Sequence, residues 1–204
     1  MNLYLQNVSA LPDPKENKAM LWGIPEWRKA KILKYLLPCD RKLSLGAWRL
    51  LEKALELNGC SAKDVTIDDN GKPKCNNLNF NLSHSADMVL CTVGNVPIGC
   101  DIEKVVDAPF EVAEHYFKTK ERQYIAEGLD ENEKNRRFFR LWTMKESYLK
   151  MTGEGMSISP ERIEIDLNTL TILRDSVPQP CSLQNFSLDN YEISICEYQH
   201  DEHK

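Results

Sequence analysis

The sequence predicts an α+β protein built as two halves. Two observations carry that prediction. Each half offers one long stretch with apolar residues at helical spacing, 40–58 in the first and 133–152 in the second. Each also surrounds its helix with several short segments of strand character. No residue-level repeat links the halves, so the duplication is one of elements alone. At 204 residues, the chain is the size of one ordinary domain or of two small ones sharing a core.

Residues 3–8 read as a first strand, and Pro12 and Pro14 interrupt regular structure after it. From Pro25 to Leu37, apolar positions at Trp27, Ala30, Ile32-Leu33 and Leu36-Leu37 fit a helix that ends before Pro38. Asp40 to Asn58 is the strongest helical pattern of this half, with Leu43, Ala47, Leu50-Leu51 and Ala54-Leu55 in step and Asn58-Gly59 as the stop. Val65 to Ile67 is a short strand before the turn Asp68-Asp69-Asn70-Gly71. Asn79 to Leu82 and Met88 to Val93 look extended, with Ser83-His84-Ser85 in a loop between them. Gly94-Asn95 then reads as a two-residue turn, which makes 88–102 a β-hairpin whose returning strand begins at an edge, at Pro97.

In the second half, one or two helices lie between Pro109 and Gly128. A long helix runs from about Glu133 to Thr152, closed by Gly153-x-Gly155. Short strands are expected near 162–166, 171–173, 181–187 and 191–196, and the tail from Gln199 is polar.

Composition narrows the function. No apolar run approaches the roughly 20 residues that span a bilayer, and the N-terminus lacks the basic and long apolar regions of a secretion signal. Seven cysteines, odd in number and without a Cys-x-x-Cys, read as reduced cytosolic thiols, several of them core fillers. A net charge of −5 argues against wholesale nucleic-acid binding. The charge is uneven, however: between Glu26 and Lys42, Arg28, Lys29, Lys31, Lys34, Arg41 and Lys42 face only Glu26 and Asp40. This stretch is either a solvated helix face or a cradle for a polyanion or an acidic partner.

Asp101 and Glu103 lie on a predicted strand, where side chains alternate, so they point the same way, roughly 7 Å apart. Cys100 and Ile102 then point to a buried side. Two adjacent acids suit a hard cation with oxygen ligands, or else an ordinary solvent-facing strand edge. On the long helix, Trp142, Glu146 and Lys150 share a face, while Phe138, Leu141, Lys145 and Leu149 mark an adjoining one. Placing Glu146 beside Trp142 half-buries a carboxylate, which is costly unless something positive meets it. A third place on the metal of Asp101 and Glu103 would meet that need; a surface pair with Lys150 is the plainer reading. Ser83-His84-Ser85 could donate to a phosphate or simply cap a turn. Gly71-Lys72-Pro73 projects a turn lysine.

These residues, in this order, resemble the 4'-phosphopantetheinyl transferases of the surfactin-synthetase-activating (Sfp) type. The matching pieces are Gly71-Lys72-Pro73, Phe80-Asn81-Leu82-Ser83-His84-Ser85, Pro97 to Glu103, and Phe139 to Lys150 with Gly153-Glu154-Gly155, together spanning about residues 71–157. The resemblance implies a pseudo-twofold duplication of two similar halves, 1–100 and 101–204, each a long helix packed on a small, mostly antiparallel sheet. Coenzyme A would lie in the cleft between them. It implies Mg²⁺ held by Asp101, Glu103 and Glu146, and coenzyme A contacted by Lys72, Ser83, His84, Asp101 and Lys150. Arg41 fits best, and Lys42 next, as the basic residue for the 3'-phosphate. Glu146 would serve as the base and Lys150 would steady phosphate charge. Cys100 stands where the family more usually has Val or Ile, and Arg28, Lys29 and Lys31 align only loosely.

The implied reaction moves the 4'-phosphopantetheine arm of coenzyme A to a serine of an apo acyl or peptidyl carrier protein, releasing 3',5'-ADP. The implied protein is a cytoplasmic monomer that binds neither nucleic acid nor membrane. A metal-dependent nuclease would need Glu-x-Lys on one strand face, and Lys104 comes directly after Glu103, pointing away. A catalytically idle carrier-binding relative should have lost a ligand, and all three acids and Lys150 are kept.

Overall fold

The computed structural model describes residues 1–67, 73–75 and 78–199. The chain forms two compact units, Met1–Asn95 and Val96–Lys204, so the whole strand bearing Asp101 and Glu103 belongs to the second. The architecture is α+β, with small antiparallel sheets.

The first unit contains β1 (Asn2–Asn7), α1 (Glu26–Lys34), α2 (Pro38–Leu57), β2 (Thr66–Ile67), β3 (Pro73–Lys74), β4 (Asn79–Ser85) and β5 (Met88–Gly94). Strands β1, β5 and β4 form an antiparallel sheet in that order. Helix α2 packs on it through Trp48, Leu51 and Leu55, which share a core with Phe80, Val89, Cys91 and Val93. Its predicted start at Asp40 moves to Pro38, because a proline at the first helical position loses no hydrogen bond. Helix α1 stops at Lys34 rather than Leu37. The residues ahead of Pro38 are biased away from helix, and the carbonyls of Tyr35 and Leu36 accept hydrogen bonds from Arg41 at 2.9 and 2.8 Å.

Two expectations for this unit are corrected. The segment 88–102 is not a hairpin: β5 pairs with β1 and β4, and the next strand joins a different sheet. The hairpin is β4–β5, turning at Ala86-Asp87, with Ala86 at φ 52°. Apolar residues on both flanks of Gly94-Asn95 mimic a hairpin, but Pro97 directs its carbonyl to the amide of Tyr198 at the far end of the chain. Ser83-His84-Ser85, expected in a loop, therefore ends strand β4. The turn 68–71 falls outside the described residues.

The second unit contains β6 (Ile98–Lys104), α3 (Phe110–Tyr116), α4 (Thr119–Ala126), α5 (Glu131–Thr152), β7 (Ile163–Asp166), β8 (Thr171–Arg174), β9 (Val177–Pro178), β10 (Cys181–Leu188) and β11 (Tyr191–Tyr198). Strands β10, β11 and β6 form one antiparallel sheet, with β6 at its edge as Pro97 foretells; β7, β8 and β9 form another. Asp130 caps α5 by accepting the Glu133 amide at 2.8 Å, and Gly153, at φ 75°, ends it. Phe138, Leu141, Met144 and Leu149 of α5 fill the core with Phe117, Ile163 and Leu183.

One buried ion pair crosses this core. Lys145 of α5 donates to Glu121 of α4 at 2.7 Å and to the carbonyls of Tyr116 and Ile163 at 2.7 and 2.6 Å, while Glu121 accepts the Ile165 amide at 2.9 Å. Burial pushes the Lys145 ammonium below its ordinary value, with Glu121 pulling the other way.

Candidate functional site

The site in the second unit begins with a missing side chain. A Cβ built on Gly99 of β6 would lie 2.0 Å from the Ser147 carbonyl oxygen and 2.3 Å from the Met151 amide nitrogen. Glycine thus lets the last turns of α5 lie directly on the strand. Two residues along, on the same strand face, Asp101 is buried and accepts a hydrogen bond from Lys150 Nζ at 2.6 Å. Cys100 and Ile102, on the other face, are fully buried, which is the alternation the sequence predicts.

Glu146 lies one turn before Lys150 and is half-buried, with Trp142 half-buried one turn earlier, as their shared face requires. Burial, and then the charge of Asp101, push the Glu146 carboxyl above its ordinary value; Lys150 offsets part of this. Burial works to lower the Lys150 ammonium, but Asp101, with smaller help from Cys100 and Glu146, raises it on balance. The arrangement is a carboxylate inclined to take a proton, beside an ammonium inclined to keep one.

Asp101 and Glu146 are therefore close enough to feel each other. Their hard carboxylate oxygens, one deeply buried and both repelled by like charge, are donors of the kind Mg²⁺ takes. Among the described residues, no three His, Cys, Asp or Glu side chains are gathered into a metal-holding cluster; Lys150 is what answers Asp101. Glu103, half-buried, stands opposite Glu192 in the register of β6 and β11.

Glu192 belongs to a polar seam that the sequence reading misses. It is fully buried and accepts hydrogen bonds from Arg136 at 2.9 Å and Arg140 at 3.3 Å. Next along β11, Ser194 shares a hydrogen bond of 2.8 Å with Thr143. The α5 residues Arg136, Arg140, Thr143, Ser147 and Lys150 recur at intervals of four and three, so one polar stripe of the helix faces one polar face of the sheet. That periodicity, and the alternation of Glu192 and Ser194, were the available signals.

The remaining predicted residues lie in the first unit. On β4, Ser83 is buried and His84 exposed. Arg41 is buried and its guanidinium is committed: beyond the Tyr35 and Leu36 carbonyls, it pairs with Asp13. Lys42 is half-exposed, its Nζ 3.4 Å from the Ser9 carbonyl. Lys72 falls outside the described residues.

The model of the 4'-phosphopantetheinyl transferase superfamily matches residues 97–196, the stretch that carries β6, α5 and β11. The chain belongs to that superfamily. Among similar members, the 4'-phosphopantetheinyl transferase gsp of Aneurinibacillus migulanus is 36% identical over 131 residues, covering 62% of this chain and 54% of its own. The 4'-phosphopantetheinyl transferase Sfp of Bacillus subtilis (strain 168) is 33% identical over 134 residues, 62% of this chain and 59% of its own. This superfamily chain thus spans little more than half the length of these curated relatives. A solved holo-(acyl-carrier-protein) synthase from Bacillus anthracis, in complex with CoA (3',5'-ADP), is 18% identical and covers 52% of this chain and 97% of its own, at a TM-score of 0.42.

No helix among the described residues is long and apolar enough to cross a membrane, and none of the seven cysteines is joined in a disulfide.

Proposed function

We propose that this chain transfers the 4'-phosphopantetheine arm of coenzyme A to a serine of an apo acyl or peptidyl carrier protein, releasing 3',5'-ADP in an Mg²⁺-dependent reaction. One observation carries the reading: Glu146, half-buried and held above its ordinary pKa, sits beside the Asp101–Lys150 pair. Superfamily membership and the curated transferases support it.

In this reading, Asp101, Glu103 and Glu146 would hold Mg²⁺, which when bound neutralises charge on phosphate oxygens. Glu146 takes the proton from the carrier serine as its Oγ bonds to the pantetheine-side phosphorus. The bond from that phosphorus to the oxygen of 3',5'-ADP breaks, and Lys150 stabilises the negative charge that collects there. Because Arg41 is committed to Asp13 and two carbonyls, we assign it the task of holding the start of α2. Lys42, next to it and half-exposed, is assigned the coenzyme A 3'-phosphate together with Lys72, Ser83 and His84.

We further read the two units as a duplication, since each has a long helix on a three-stranded antiparallel sheet. The first unit would serve the 3'-phosphate and the carrier, the second the metal and the chemistry, in a cytoplasmic monomer. The test is intact mass after incubation with coenzyme A, Mg²⁺ and several apo carriers. Gain of one phosphopantetheine arm supports the proposal; no gain on any carrier defeats it.

A further inference from the structure

Of the six bases between Glu26 and Lys42, four are taken. Lys29 pairs with Glu26, and Arg28 is buried against the Ser44 carbonyl and the ring of Trp48. Arg41 holds Asp13, and Lys42 reaches the Ser9 carbonyl. Lys31 and Lys34 are exposed, and among the described residues neither makes an ion pair or a side-chain hydrogen bond. Three residues apart on α1, they stand on one face of the helix.

Both line a groove of about 840 Å³ at the corner between α1 and α2, together with Tyr35, Leu36, Leu37 and Asp40. Leu36 is 89% exposed and Leu37 58%. Single exposed leucines are ordinary, whereas adjoining ones rimmed by charge mark an interaction surface. Their display is built in. Arg41, fixed by the buried Asp13, binds the carbonyls of Tyr35 and Leu36 at 2.9 and 2.8 Å, and Pro38 opens α2 directly after Leu37. A loop held in this way leaves little ordering for a partner to impose.

The same bonds decide what kind of partner fits. Because Arg41 occupies those two carbonyls, the loop does not take on an added strand through them. A helix closes its backbone bonds internally and needs only side chains to dock on. Its apolar stripe would lie on Tyr35, Leu36 and Leu37, and its acids would meet Lys31 and Lys34. Asp40 belongs to the first turn of α2, where the helix N-terminus already favours an acid. An anionic membrane is the poorer fit, since these residues line a groove and the chain carries a net charge of −5.

We propose that the groove at the α1–α2 corner docks an acidic amphipathic helix of a partner protein. This docking stands apart from the transfer reaction, because none of the groove residues belongs to the site around Asp101.

The test is fluorescence anisotropy of a set of labelled peptides titrated with the full chain. Each peptide is about five turns of helix, with leucines three and four residues apart and glutamates beside them. Saturable binding at micromolar concentration is expected, weakening as salt is raised. Leu36→Ser should lower the affinity about tenfold or more, because the leucine buried on docking is gone. Lys31→Glu combined with Lys34→Glu should lower it roughly tenfold and remove the salt dependence. Leu57→Ser, at an exposed leucine at the other end of α2, should bind as the wild type does. All the substituted side chains are exposed, and unchanged circular dichroism verifies that each variant folds. The proposal is overturned if no glutamate peptide binds, if lysine-bearing counterparts bind as tightly, or if Leu36→Ser binds equally well. It is also overturned if phosphatidylserine vesicles capture the chain through Leu36 and the peptides do not compete.

Discussion

Replacing Gly99 by alanine would set a methyl group against the backbone of α5. The added Cβ would lie 2.0 Å from the Ser147 carbonyl oxygen, 2.3 Å from the Met151 amide nitrogen and 2.9 Å from its Cα. Non-bonded carbon contacts are comfortable only near 3.5 Å, so the helix must retreat by roughly 1–1.5 Å. No flexible side chain can yield in its place, because all three obstacles are main-chain atoms. Overpacking of this kind costs about 1–3 kcal/mol, which for a chain of this size lowers Tm by roughly 3–10 °C. The chemical consequence should be larger than the thermal one. The same retreat would stretch the Lys150–Asp101 contact from 2.6 Å toward the edge of ion-pair range and would carry Glu146 away with it. A displacement of about 1 Å can cost 10²-fold in rate. The assays are thermal unfolding by circular dichroism and initial rate of carrier modification. A Gly99→Ala protein that melts within 1 °C of wild type and keeps its rate would refute the claim that this glycine positions the helix.

Glu146→Gln should abolish transfer yet melt at the same temperature or higher at pH 7, because the raised pKa means that burial disfavours the ionised form, a penalty the amide lacks; a clear drop in Tm would contradict this. Asp13 is held at about 2, below its ordinary 3.8, chiefly by its hydrogen bond from Arg41. Its stabilising effect is therefore complete above pH 3.8 and lost as pH falls through 2, so urea unfolding of wild type and Asp13→Asn should differ at pH 6 and converge at pH 2. Lys145→Met leaves the buried Glu121 carboxylate without its cation and should cost about 3–5 kcal/mol; the double variant with Glu121→Gln should recover part of that loss, and denaturant midpoints for the four proteins would show whether it does.

The long helices are legible because their signals are local. Apolar residues three and four apart, Gly153 at the end of α5 and Pro38 at the first position of α2 all act within a few residues. The alternation that turns Asp101 and Glu103 one way and Cys100 and Ile102 the other is local too. What stays hidden is which strand lies beside which. Gly94-Asn95 is acceptable turn chemistry, and the pairing of β6 with β11 rather than β5 depends on residues far along the chain, such as Ser194 opposite Asp101. Lys145 illustrates the same limit. Its helical position places it beside Leu141 and Leu149, as the sequence suggests, but Glu121, which makes its burial tolerable, is chosen by tertiary packing. Arg41 is legible as a basic residue in a basic stretch, while its commitment to Asp13 is not, because nothing near Asp13 marks it as a partner.

The charged residues along α5 and its surroundings divide into two kinds. Glu192 meets Arg136 and Arg140, Glu121 meets Lys145, and Asp101 meets Lys150; each acid lost from water gains a cation with good geometry. Where such pairing decides a carboxyl's pKa it lies low, as for Asp13 with Arg41 and Asp175 with Arg162. Glu146 runs the other way. It is raised by burial and by a like charge, and Lys150, the cation it could claim, sits on Asp101. A purely structural carboxylate in that position would do better as glutamine, whereas a group that must accept a proton and then give it up needs its charged form held at a disadvantage. The imbalance at Glu146, set against acids on the same helix and sheet that are balanced, supports the role of proton acceptor proposed for it.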